Sequence, residues 1–145
     1  MLNKLARYCS YRDRSIGEVK QKMKILGVPL EKYPKFISSL TEEKFLDEER
    51  FCKIYIRSKL LQNHWGRQKI YAGLKHKFVD NDTIEKALNE IDLDEYESVL
   101  IKVLRKKTKE LEYMESKLRN QKIIRYALSK GFTYDEIMKQ LNIKL

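Results

Sequence analysis

Apolar positions recur along this chain at three- and four-residue intervals, the period of an α-helix with one buried face. Val19, Met23 and Leu26 form one stripe, Ile70, Leu74 and Phe78 a second, and Ile123, Ala127 and Leu128 a third. The segments that carry the stripes align with one another. Ser15-Ile16-Gly17-Glu18-Val19, running to Gly27-Val28, matches Gly66-Arg67-Gln68-Lys69-Ile70, running to Phe78-Val79. Arg119-Asn120-Gln121-Lys122-Ile123, running to Gly131-Phe132, is the third copy, and equivalent positions are 51 and 53 residues apart. Recurrence on this scale marks units that cannot bury their apolar faces alone and do so by stacking.

Each copy has one helical stretch before the matched segment and a shorter one after it. The pattern predicts helices over 3–11, 15–26 and 33–44, then 47–62, 66–78 and 82–91, then 94–111, 115–130 and 134–141. The fold class read from this is all-α: an elongated tandem array of three three-helix repeats, nine helices in all, with repeats at 1–45, 46–92 and 93–145.

The helix ends carry matching chemistry. Ser15-x-x-Glu18 and Thr133-x-x-Glu136 have the form of capping boxes, in which each side chain satisfies a backbone donor orphaned at a helix start. Asp47-Glu48-Glu49 and Asp94-Glu95 open helices whose later turns are basic, the polarity the helix dipole favours. Gly27 and Gly131 stand where a left-handed residue ends a helix. The equivalent position in the middle copy is Phe78, which predicts a stop of a different kind there.

Composition narrows the function classes. Hydrophobic residues make up 42% of the 145, enough for a core, and only five Gly and two Pro are available to punctuate strands. The formal net charge is +10, and the charge is segregated. Residues 50–79 hold eight Lys or Arg and no acid, 98–109 and 116–134 hold five each and no acid, and 80–97 hold eight acids and one Lys. Cationic surface of this kind suits a phosphate backbone or the acidic face of a protein. Lys69, Ala72, Lys75 and His76 are expected to face away from the Ile70–Leu74 stripe, as are Lys122, Arg125 and Ser129 from Ile123 and Ala127. The candidate contact residues are Arg57, Lys59, Arg67, Lys69, Lys75, Arg119, Lys122 and Arg125. Trp65, just before a helix start, is read first as a hydrophobic staple near Ile70 and second as a recognition residue.

Catalytic signatures are missing: no phosphate-binding glycine loop and no nucleophile elbow occur, and His64 and His76 lack the spacing of a metal pair. Cys9 and Cys52 are isolated, as expected of ordinary thiols in a reducing compartment. No apolar run has the length of a signal peptide or membrane span. The expectation is a cytoplasmic monomer that acts by binding, with no cofactor and no metal.

The middle copy also carries a family resemblance. Phe45-Leu46-Asp47-Glu48-Glu49-Arg50-Phe51, then Tyr55-Ile56-Arg57-Ser58-Lys59, then Trp65-Gly66-Arg67-x-x-Ile70-x-x-x-Leu74-x-x-Lys77 resembles the signature of the RecX family. Arg125-Tyr126-Ala127-Leu128-Ser129-Lys130-Gly131-Phe132-Thr133-Tyr134-Asp135-x-Ile137 resembles that family's C-terminal part. The chain departs from the pattern at Phe78, where the family has Gly, and at Cys52, where Ala is common. The resemblance implies tandem three-helix repeats that bind the RecA recombinase, lie along its filament on single-stranded DNA, and restrain ATP hydrolysis, strand exchange and coprotease action. Two other readings stay open on the residues alone. One is a general DNA-binding protein of helix-turn-helix-like units that needs no recombinase; the other is an adaptor for an acidic protein.

Overall fold

The computed structural model describes residues 1–144, with side chains through Asn142; Leu145, the last residue of the third predicted repeat, lies outside the described residues. Among the described residues there are nine α-helices and no strand. They are α1 (Leu2–Tyr11), α2 (Ile16–Ile25), α3 (Tyr33–Glu42), α4 (Glu48–Leu61), α5 (Arg67–His76), α6 (Asn81–Asn89), α7 (Leu93–Glu110), α8 (Ser116–Ser129) and α9 (Tyr134–Lys144). A 3-10 turn over Leu30–Lys32 leads into α3, which has Pro34 in its first turn, where a missing N–H is harmless. Every helix read from the apolar period is present, its ends moved by at most three residues.

Both predicted capping boxes form. Ser15 Oγ accepts from the Glu18 N–H at 3.0 Å, and the Glu18 carboxylate accepts from the Ser15 N–H at 3.0 Å. Thr133 and Glu136 do the same at 3.1 and 2.8 Å. Such a cap is worth roughly 1 kcal/mol. Asp92 and Glu115 cap α7 and α8 with their side-chain oxygens.

The three second helices, α2, α5 and α8, all stop in the same way. Gly27, Phe78 and Gly131 have φ of 78°, 64° and 102°. The next residue's N–H then returns to a carbonyl five residues back: Val28 to Met23 at 2.9 Å, Val79 to Leu74 at 3.2 Å, Phe132 to Ala127 at 3.3 Å. The expectation of a different stop at Phe78 is therefore overturned. A phenylalanine takes the left-handed conformation at a cost of about 1–2 kcal/mol, and its side chain turns outward, 60% exposed. The apolar stripe is corrected accordingly. Val28, Val79 and Phe132, which follow the stop, complete the three buried faces, whereas Phe78 and Leu128 (44% exposed) lie outside them.

Packing divides the chain into two units, and the division runs through the middle helices. The first comprises Met1–Tyr55 with Gly73–Ala87; the second comprises Ile56–Ala72 with the chain from Leu88 onward. In the first, α1, α2 and α3 pack on one another around Leu5, Cys9, Val19, Met23, Val28, Tyr33, Leu40 and Leu46. In the second, α7, α8 and α9 pack on one another, burying Val99, Leu100, Val103, Ile123, Ala127 and Ile137. There the Tyr96 and Phe132 rings meet at 5.5 Å. Each fully buried aliphatic side chain contributes on the order of 2 kcal/mol.

Candidate functional site

Each unit contains one joint in which the stop of one second helix docks on the start of another. In the first unit the α5 stop meets the start of α2. Ser15 Oγ donates to the Lys77 carbonyl at 2.7 Å, and Gly17 leaves the space that the Phe78 side chain enters. The Glu18 carboxylate lies 3.6 Å from the Lys77 ammonium and 3.1 Å from the Arg12 guanidinium. The Ile16 N–H donates to Glu48 at 2.8 Å. Burial, opposed by that N–H, raises the Glu48 carboxyl above its ordinary range; Asp80 adds to the rise and Lys20 offsets it.

In the second unit the α8 stop meets the start of α5. The Gly66 N–H donates to the Lys130 carbonyl at 2.7 Å and the Gln68 N–H to the Gly131 carbonyl at 3.0 Å. The last carbonyls of one helix thus satisfy the first amides of another, with the positive end of one dipole on the negative end of the other. A Cβ on Gly66 would come within 2.5 Å of the Gly131 backbone, so this approach requires glycine. The Arg67 N–H donates to the Tyr96 hydroxyl at 2.9 Å.

Both joints set a helix stop against a helix start, but their charges differ. Fifty-one residues after Glu18 stands Lys69, and 51 after Arg14 stands Trp65. In the first unit the Arg14 guanidinium lies 3.7 Å from the Tyr8 ring centre. In the second the ammonium groups of Lys59 and Lys69 lie 4.8 and 4.7 Å from the Trp65 ring centre, a favourable placement over an aromatic face. The Lys130 ammonium donates to the Asn63 carbonyl at 2.7 Å. Burial, then the charges of Lys69 and Lys106, lower the Lys130 pKa below the usual lysine range. His64, at φ 57° in the same turn, is also held below its ordinary value, first by burial and then by Lys102, Lys130 and Lys106.

The sequence-predicted contact residues separate into groups. Lys59 and Lys69 come together at Trp65, so Lys69 is part-buried against an aromatic ring and does not simply face outward. That placement gives Trp65 a second job beside any packing near Ile70. Arg57 pairs with Glu95 at 3.2 Å, and Arg67 with Glu136 at 3.3 Å while lying 4.0 Å from the Tyr96 ring centre. Both are engaged with carboxylates at the starts of α7 and α9. Lys122 and Arg125 are exposed on α8, and Arg119, on the same helix, is part-buried. Lys75 is exposed at the end of α5 and falls in the first unit, where its charge bears on Asp80.

Sequence reading passed over His64, Lys102, Lys106 and Lys130. The acid-free runs 98–109 and 116–134 contained the signal for three of them, but only packing shows which members bear on the charge of the Trp65 turn. Among the described residues no group of His, Cys, Asp and Glu could hold a metal ion, and no helix is long and apolar enough to cross a membrane. Cys9 and Cys52 are both buried, and burial, with Glu48, Asp80 and Glu49, pushes the Cys52 thiol up to about 12, far from a reactive thiolate.

Comparison with known proteins is consistent from several directions. The model of the second three-helix domain of RecX matches residues 47–88, and that of the third matches residues 94–141. The regulatory protein RecX of Clostridium tetani is 35% identical over 109 residues, 73% of this chain and 49% of that protein. The regulatory protein RecX of Bacillus licheniformis is 28% identical over 134 residues, 92% of this chain and 51% of that protein. The chain thus spans about half the length of these curated relatives. The crystal structure of RecX from Lactobacillus salivarius superposes with a TM-score of 0.89 at 22% identity, covering 98% of this chain and 94% of that one, which establishes a shared fold. With two successive domain models matched over most of its length, the chain belongs to the RecX family of regulatory proteins.

Proposed function

We propose that this chain binds the RecA recombinase and its filament on single-stranded DNA and inhibits ATP hydrolysis, strand exchange and coprotease action. It does so by binding and not by catalysis, as a cytoplasmic monomer without cofactor or metal. Membership of a family of regulatory proteins supports the regulatory role. The observation that carries the nucleoprotein reading is the Trp65 turn, where Lys59, Lys69 and Lys130 gather on a part-exposed aromatic ring and a helix stop. Such a cluster meets polyanions and releases counterions as it does so. Lys75, Arg119, Lys122 and Arg125 extend the proposed contact set. Arg57 and Arg67 are in it too, although both first serve as internal ion-pair partners.

The test is ATP hydrolysis by the recombinase of the same organism on single-stranded DNA, titrated with this protein. Inhibition well below one regulator per recombinase is the expected result. An unaffected ATPase, with DNA binding retained, overturns the reading in favour of a general DNA-binding protein that acts without a recombinase.

A further inference from the structure

The two joints differ at the position that meets the incoming helix stop. In the first joint that position is Glu18, which sits 3.6 Å from Lys77. In the second the equivalent residue is Lys69, and the incoming stop again brings a lysine, Lys130, on which the Lys69 charge bears. An attraction in one joint is thus replaced by a repulsion in the other. On the neighbouring elements, α4 sets Lys59 over Trp65 beside Lys69, and Lys102 and Lys106 of α7 add cationic charge that, after burial, holds His64 in the turn below its ordinary value. Like charges held together by a fold form a pre-set site for an anion, because the anion relieves a repulsion the protein already carries.

The shape of the cationic surface points to the class of anion. Arg119, Lys122 and Tyr126 of α8 and Lys130 at its C-cap follow one another at helical spacing, and the Lys107 ammonium lies 4.4 Å from the Tyr126 ring centre. This row is about 16 Å long at 1.5 Å per residue, a span that suits a strand of several nucleotides better than one acidic side chain. We infer that the second joint is a phosphate-binding site in which a phosphodiester of single-stranded nucleic acid seats between Lys69 and Lys130, flanked by Lys102, Lys106 and His64 and bordered by Trp65. This rests on the reading of single-stranded DNA as a partner and gives that contact an address. Binding takes up a proton: the free site disfavours charge on His64, and a bound phosphate favours it.

Trp65 is the chain's single tryptophan, so its emission reports on the site directly. The experiment is a titration of the full chain with oligothymidylate, followed by Trp65 emission. Affinity should rise about fivefold between about pH 7.5 and about 5.5, the window around the ordinary histidine value. His64→Asn should abolish that rise, asparagine being tolerant of the left-handed turn. Lys102→Gln with Lys106→Gln should weaken binding about tenfold at low salt and flatten its salt dependence. Lys20→Gln with Lys24→Gln removes the same charge from exposed positions of α2 and should cost less than about twofold.

Equal losses in the two double variants would reduce the effect to net charge and overturn the site. So would polyglutamate perturbing Trp65 as strongly as oligothymidylate, because the site would then be one for acidic protein surfaces. Recombinase ATPase measured on the same samples separates the two proposals. Inhibition with a silent Trp65 removes the phosphate site and leaves the regulator; oligothymidylate binding with no inhibition removes the regulator and leaves the site.

Discussion

Ser15 and Gly66 begin equivalent helices, and each receives the C-terminal turn of a second helix from the following repeat. Around Ser15 the cations are matched by carboxylates: Arg12 and Lys77 by Glu18, Arg50 by Asp13, and Lys86 by Glu49. Around Gly66, Arg67 pairs with Glu136 and Arg57 with Glu95, while the Lys59 and Lys69 ammonium groups lie over Trp65 and the charges of Lys69 and Lys106 bear on Lys130. The ties differ as well: the Ser15 hydroxyl on the Lys77 carbonyl holds the first joint, and two backbone N–H groups on the Lys130 and Gly131 carbonyls hold the second. A formal charge of +10 therefore says little about where an anion binds until it is known which cations the fold has already matched. In the first joint the Glu18 carboxylate ties two cations; in the second, glycine and backbone hydrogen bonds hold the close approach.

The largest test of this contrast is steric. Gly131→Ala places a Cβ 2.5 Å from the Lys69 side chain at a φ of 102°, whereas Gly27→Ala, at φ 78°, meets nothing. Urea unfolding should show a loss of about 3 kcal/mol or more for Gly131→Ala and about 1 kcal/mol for Gly27→Ala. Comparable losses would mean that the second joint does not depend on close backbone approach.

Next is the charge in the first joint. Glu18→Gln should cost about 2 kcal/mol, since a nearly buried carboxylate loses its ionic contacts with Arg12 and Lys77 while keeping part of its cap. The mirror experiment is Lys69→Glu, which recreates in the second joint the pairing found in the first. It should leave stability unchanged or raise it by up to about 1 kcal/mol while reducing filament inhibition. Lys75→Glu should reduce inhibition less, and with both residues reversed inhibition weakens while circular dichroism shows unchanged helicity. Full inhibition by the double variant would remove α5 from the interface.

The smallest effect is acid sensitivity. His64 is held below its ordinary value by burial and by Lys102, Lys130 and Lys106. The unfolded chain therefore binds the proton more readily, and stability present above the ordinary value is lost as pH falls through it. Glu48 has the opposite sign: its raised carboxyl favours the folded state as pH approaches the carboxylate range. Thermal unfolding should show a shallow fall in Tm between about pH 7 and about 5.5, absent in His64→Asn.

The helices, both capping boxes and the two glycine stops were readable from residues alone, because each depends on contacts within a few positions along the chain. Phe78 was not. Its left-handed turn contradicts local preference and is held by the hydrogen bond from Ser15 to Lys77, 62 residues away, and by the side chain Gly17 lacks. The candidate site shows the same limit. Acid-free runs mark the basic helices, yet Arg57 and Arg67, chosen on that basis, face Glu95 and Glu136, while the charges of Lys102, Lys106 and Lys130, passed over, bear on His64 beside Trp65.

What the sequence by itself determined is the repeat, its helices and the sign of the charge on each, since periodicity, caps and composition are local properties. Only the tertiary structure decided which cations are matched by carboxylates and which are set against one another. That choice depends on which helix stop docks on which helix start, and Coulomb interactions weaken with distance in space, whatever the separation along the chain.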